Sequence, residues 1–301
     1  NFVNSDNEVG KSGQNKFLVM FAISLVGIVL AYGLGLLLKN PALSKIILFA
    51  VAGVVFVIFF TLRSYLNDFE RKGMMIAFIL LVQSIFFWVM YMQMSTSLTL
   101  FAVHNVRNDV FGFVIPPEVT QSFNPFYIFL LSPILASIYV RSEHKKAPIS
   151  IPAKFAFGML VCGLAYVLLA LSCFLSDANS TISLIWLFLG YGLYSLGELL
   201  ISAIGLSMVS KLMPLRLGGF AQAVWFVTTA IGMKLGGMLA GFGGVDESKV
   251  TSNADVLHGY QALFAYIGIG ATIFALILFI FVKPLAKAMR DVMELKAQAA
   301  E

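Results

Sequence analysis

The sequence predicts an all-α, polytopic membrane protein, and three observations carry that prediction. Of its 301 residues, 59% are hydrophobic and only 12% charged, and mean hydropathy is +0.91; no soluble class has that balance. Apolar runs long enough to cross a bilayer recur about eight times. They lie near 16–38, 44–62, 73–104, 124–141, 152–175, 182–210, 218–241 and 258–282. The basic residues are unevenly divided between the two sides. With eight spans both ends share one side, and the other side holds only Lys39, Lys45, Arg107 and Lys249. Lys234 falls within a span, and all the other Lys and Arg residues collect with the termini. Basic loops face the cytoplasm, so both ends are expected there. The net charge of +5 follows from those loops and calls for no nucleic-acid partner.

Residues 1–15, NFVNSDNEVGKSGQN, are polar and linker-like. They open on Asn rather than Met and carry no signal-peptide pattern, so they read as a cytoplasmic linker within a longer protein. Residues 16–66 hold two spans joined by the turn signal Leu38-Lys39-Asn40-Pro41. Gly27, Gly33 and Gly35 suit close helix contact there, and the pair reads as a structural hairpin. RSYLNDFERKG (63–73) is expected to be a charged cytoplasmic loop.

The third run is too long for one perpendicular span and must tilt or project. Its Ser84, Trp88, Tyr91 and Ser95 share a helical face and are expected to line a polar cavity. The fourth span opens with Asn124-Pro125 and carries Pro133, which frees a carbonyl and bends a helix, for packing or as a hinge. The fifth reads as scaffold. Its Cys162 and Cys173, roughly 16 Å apart along one helix, cannot bridge and are expected to be packing residues.

The seventh span places Gln222, Trp225 and Thr229 on one face and is dense in glycine from Gly232 to Gly244. Its Lys234 is expected to snorkel to the interface rather than enter a buried ion pair. The eighth is uniformly apolar, and 284–301 reads as an amphipathic cytoplasmic tail.

The sixth span carries the one deep carboxylate. From an entry near Thr181, Glu198 lies roughly 25 Å in, past the middle of a hydrocarbon core about 30 Å thick. A carboxylate there is costly unless it faces a partner or a wet cavity. Tyr191, Tyr194, Ser195, Glu198, Ser202 and Gly205 share one broad side of the helix. With Trp88, Tyr91, Asn124 and Trp225 they predict a one-sided polar, aromatic cavity. Its lone acid suits a cationic group on a substrate, or a proton.

His104, His144 and His258 show no metal-ligand spacing. No phosphate-cradling loop, nucleophile elbow or pair of intramembrane carboxylates stands out. The sequence therefore predicts no cofactor, no metal and no enzyme, and transport becomes the leading class.

GELLISAIGLSMVSKLMP (197–214) resembles the GEL-I-S-x-x-G-L-S signature of the proton-dependent oligopeptide transporters of the major facilitator superfamily. It runs on into a P-x-R-x-x-G element, here Pro214, Arg216 and Gly219. FFWVMYMQMSTSLTLFAVHNV (86–106), QSFNPFYIFLLSPILA (121–136) and AVWFVTTA (223–230) fall in the family's order, and the wording is most similar to its bacterial dipeptide and tripeptide permeases.

The resemblance implies a C-terminal six-helix bundle over 73–283, preceded by an accessory hairpin over 16–66. It implies a bacterial inner membrane, a partner in the family's N-terminal six-helix bundle, and proton-coupled symport of di- and tripeptides by alternating access. Carried over by position, Glu198 receives the peptide's amino group and takes part in proton coupling. Asn124 bonds the peptide's backbone or amino end, and Trp88 and Trp225 line side-chain pockets, with Tyr91 and Ser202 on the same faces. Met92 stands where family members often carry an acid. The alternatives are a transporter of another amino-bearing solute, or a membrane sensor or scaffold on half the fold.

Overall fold

A computed structural model describes residues 20, 21, 24–29, 31–33, 35, 36, 39–110, 112–144, 148–243 and 252–298. The expected linker 1–15 and part of the first span lie outside them. The described residues include seven helices long and apolar enough to cross a membrane, so the chain is an all-α, multi-pass membrane protein. It divides into two compact units, 1–51 and 52–301.

In the first unit the expected turn starts a helix. Asn40 Oδ1 accepts the Leu43 N–H at 3.1 Å and Pro41 opens the helix that runs to Ser64, the arrangement that suits an Asn cap followed by Pro.

In the second unit the third span begins earlier than its hydropathy indicates. Its helix runs from Asp68, so most of the segment expected as a loop is its charged first turns. Glu70 Oε2 accepts the Asn67 N–H at 3.2 Å, half of a capping box. The excess length of the run is divided by a break at Thr96 (φ −119°, ψ −92°), beyond which a helix covers Ser97–Asn105.

A 3₁₀ turn, Pro117–Ser122, leads into the fourth span, Phe123–His144, which carries Pro133 without interruption. The fifth is Ile151–Ser172, the sixth Leu184–Leu212 and the seventh Gly218–Gly243. The eighth extends far past its apolar stretch, as one helix from Asn253 through Pro284 to Gln298. That is about 69 Å of rod, more than twice the hydrocarbon core. The expected tail is thus mostly its continuation, with Met289 and Val292 buried and Lys296 Nζ donating to the carbonyls of Lys211 (3.0 Å) and Met213 (2.9 Å).

Two short β pairs that hydropathy does not reveal sit in the loops. Val106–Arg107 runs parallel to Ile182–Ser183, and Asp109–Val110 pairs antiparallel with Phe113–Val114. The second turns at Gly112, whose φ of +82° favours glycine.

Small residues set the helix crossings. A Cβ added at Gly158 would stand 2.7 Å from Ile201 Cγ1 and 2.9 Å from the Gly197 carbonyl, and one at Gly163 would meet the backbone of Thr272. The fifth span is therefore packed backbone-close between the sixth and the eighth. Cys162 and Cys173 are buried, unbridged thiols in that core. The glycines of the seventh span act likewise on the third, where a Cβ at Gly232 or Gly236 would strike the backbone at Ile85 or Val89. Gln93 Nε2 locks this crossing by donating to the Gly236 carbonyl at 2.8 Å, while its Oε1 accepts the Ser97 hydroxyl at 2.7 Å.

Candidate functional site

The site grows from the start of the fourth span laid against the middle of the sixth. Phe123 meets Phe188 and Tyr191 edge-on, with centroids 5.1 and 5.9 Å away. A Cβ at Gly192 would lie 2.8 Å from Tyr127 Cζ, so the missing side chain lets that ring lie on the sixth helix. These contacts aim Asn124 inward, leaving it 6% exposed. Its Nδ2 donates to Glu198 Oε2 at 2.7 Å and to Ser195 Oγ at 3.0 Å.

Glu198 is half-buried. Among the described residues no cation pairs with it, and Asn124 is its one hydrogen-bond partner there. A carboxylate offers about four acceptor positions. One neutral amide therefore holds it in place, with no cation among the described residues to compensate a charge and most of its acceptor capacity open.

An aromatic group flanks it. Trp88 stands edge-on to Tyr91 (5.1 Å) and to Trp225 (6.3 Å). Tyr91 lies 6.3 Å from Tyr194, which stacks on Phe87 at 6.1 Å. Tyr194, one turn before Glu198, thus joins the aromatic group to the carboxylate's helix. Trp225 packs on Gly205 so closely that a Cβ there would fall within the indole. Gly205 lies seven residues beyond Glu198, or about 10 Å along the helix. Trp88 Nε1 and Tyr194 Oη are both buried without a hydrogen-bond partner among the described residues.

The structure therefore gathers Asn124, Ser195 and Glu198 into one polar cluster, and Trp88, Tyr91 and Trp225 into one aromatic cluster beside it. Ser202, half-buried one turn past Glu198, has no hydrogen bond among the described residues. Not every residue expected on these faces joins them. Ser84 is fully buried and bonds its own helix at the Leu81 carbonyl (2.7 Å), while Ser95 and Gln222 are exposed. Thr228 and Thr229 both donate to the Trp225 carbonyl, at 2.8 and 3.0 Å. Lys234 is half-buried and outside any ion pair among the described residues. Sequence reasoning missed the role of Ser195 as second acceptor for Asn124, although its spacing of three from Glu198 places both on one face. It also missed the seating of Trp225 on Gly205, which no spacing within either helix reveals.

The P-x-R-x-x-G element lies far from this cluster. Arg216 pairs with Glu70 at 2.8 Å, tying the loop after the sixth span to the start of the third. Near the β pairs, Asp177 accepts the Thr181 N–H (2.9 Å), the Thr181 hydroxyl (2.8 Å) and the Asn179 N–H (3.0 Å), and lies 3.7 Å from Arg107. The Thr181 bonds, then Asn179 and Arg107, hold its carboxyl below the usual range.

The POT family profile matches residues 36–255. "Dipeptide and tripeptide permease A" of Yersinia pestis is 37% identical over 267 residues, covering 88% of this chain and 52% of that protein. The protein of the same name from Escherichia coli K12 is 37% identical, covering 89% and 53%. A structure described under substrate recognition in proton-dependent oligopeptide transporters superposes with a TM-score of 0.70 at 32% identity, covering 85% of this chain and 51% of that one. A peptide transporter POT in complex with sulfate gives 0.68 at 27% identity, covering 92% and 55%. The chain spans about half the length of the curated relatives it matches. It belongs to the POT family.

Proposed function

We propose that this chain supplies half of a proton-coupled symporter of di- and tripeptides. The observation that carries the reading is the state of Glu198: an intramembrane carboxylate fixed by one neutral amide, with no cation beside it among the described residues and aromatic rings on its flank. Such a group is matched by an ammonium brought in by a substrate, or by a proton. Glu198 receives the peptide's amino group and takes part in proton coupling, and Asn124 bonds the peptide backbone or amino end. Trp88 and Trp225 line side-chain pockets, with Tyr91 and Ser202 beside them.

The size of the arrangement agrees. Glu198 and the Trp225–Gly205 contact are about 10 Å apart along the helix, and two or three extended residues span about 7–11 Å. The names of the relatives, dipeptide and tripeptide permeases, support the same substrate class. The partner is an N-terminal six-helix bundle, and rocking of the two halves about the midplane gives alternating access. The setting is a bacterial inner membrane with both ends of this chain cytoplasmic.

The test is uptake of a labelled dipeptide by the intact protein in proteoliposomes under an inward proton gradient, with Glu198→Gln for comparison. Gradient-dependent uptake that collapses in the variant, with folding retained, supports the proposal. Undiminished uptake in the variant removes Glu198 from the site. If unlabelled dipeptides fail to compete with an amino-bearing solute that is carried, peptides are not the substrate.

A further inference from the structure

We propose that a cleft between the loop ends of the second, third and eighth spans binds an anionic glycerophospholipid. The cavity there has a volume of about 750 Å³. Arg63, Arg71 and Lys72 line its mouth, together with the two acids Asp68 and Asp291. Ile79, Phe281 and Leu285 form its apolar wall, and the first two are about half exposed.

The cations are not consumed within the protein. Arg71 Nη2 donates to the Ser64 carbonyl at 2.9 Å, and its Nη1 lies 3.9 Å from an almost fully exposed Asp68. Arg63 has no ion-pair partner among the described residues. The Nε atoms of both arginines are buried and lack an acceptor there. Both guanidinium groups are partly exposed where they line the cleft, and a phosphate with several acceptor oxygens matches their planar geometry.

The shape of the site selects the rest of the ligand. A polar, basic mouth above an apolar wall on membrane-spanning helices fits a molecule with an anionic head and an acyl chain. A phospholipid in the surrounding bilayer brings both, and basic pockets between membrane helices hold such headgroups. Free phosphate would satisfy the arginines and leave the wall uncovered. At the mouth three cations, Arg63, Arg71 and Lys72, stand against two acids, Asp68 and Asp291. That balance favours a net anionic headgroup over a zwitterionic one.

Native mass spectrometry of the intact transporter tests the site, using phosphatidylglycerol, phosphatidylcholine with the same chains, and glycerol 3-phosphate as a probe without chains. Phosphatidylglycerol should be retained about fivefold more tightly than phosphatidylcholine, and Arg63→Gln should remove about that factor. Leu285→Trp, which fills the wall, should weaken both lipids, and glycerol 3-phosphate should not compete. Unchanged retention in both variants, each verified as folded by thermal unfolding, overturns the proposal. Full displacement by glycerol 3-phosphate overturns it in favour of a simple anion site, and equal retention of the two lipids overturns the charge selection.

Discussion

The fourth and fifth spans are both apolar rods of crossing length, yet they live in opposite surroundings. In its most apolar stretch the fifth is 61% buried within the chain and the fourth only 6%. The fifth gives up side chains to get there, using Gly158 and Gly163 to admit the backbones of its neighbours. The fourth keeps large side chains on the outside, with Phe129 84% exposed, and contributes one polar residue, Asn124, from its first turn. Hydropathy cannot separate them, because lipid and protein interior are equally apolar. Backbone-close packing belongs to the scaffold, and the span left open carries the amide that bonds Glu198.

The largest expected effect tests the scaffold side. Gly158→Leu should force the fifth and sixth spans apart and cost about 3 kcal/mol or more, read as a loss of folded protein or a large drop in Tm. Phe129→Ala, by contrast, should stay within about 0.5 kcal/mol. Equal Tm values for the two would break the comparison.

Gly205→Ala should come next, because a methyl there cannot coexist with the Trp225 ring. The expected result is a Tm within a few degrees of wild type and dipeptide uptake reduced at least about tenfold; unchanged uptake would detach Trp225 from the site.

On the open span, Asn124→Ala leaves Glu198 without its one donor among the described residues. Loss of a hydrogen bond to a charged group is worth about 1.5–3 kcal/mol, so apparent peptide affinity should fall by about tenfold or more. Retained affinity would mean that the carboxylate does not need the amide.

Smaller effects are expected outside both spans. Arg216→Ala removes a pair whose arginine is 62% exposed. Solvent screening limits the loss to about 1 kcal/mol or less, read as a modest Tm shift that shrinks further in high salt.

Asp177 gives the smallest. Its carboxyl is held below the usual range, so its contribution is complete above the ordinary Asp pKa, about 3.9. It is lost as pH falls through the lower folded value. Asp177→Asn should therefore flatten a slight loss of stability on acidification below about pH 4. An identical acid profile in wild type and variant would discount the Thr181 bonds.

Much of the site was legible from residues alone. Glu198 stood out because an acid at that depth in an apolar run needs an explanation. Asn124, Trp88 and Trp225 were expected beside it as polar and aromatic residues within the spans, and the resemblance of whole motifs supplied only the roles proposed for them. The start of the third helix at Asp68 was hidden because its first turns are charged, and hydropathy reads charge as loop. The continuation of the eighth helix past Pro284 was hidden for the same reason. Ser84 showed the limit of periodicity. It shares a face with Trp88, but its hydroxyl is spent on the Leu81 carbonyl of its own helix, while Trp88 packs with Tyr91 and Trp225.

What the sequence determined by itself is what a single helix can encode. Run length, the placement of a carboxylate and the positions of glycine and proline all follow from a fixed rise and turn per residue. Tertiary structure alone decided that Asn124 divides its amide between Glu198 and Ser195, that Trp225 lies on Gly205, and that the fifth span rather than the fourth enters the core. Those outcomes depend on how separate helices pack. Where all spans are apolar, packing is settled by the fit of small and large side chains and by hydrogen bonds between helices.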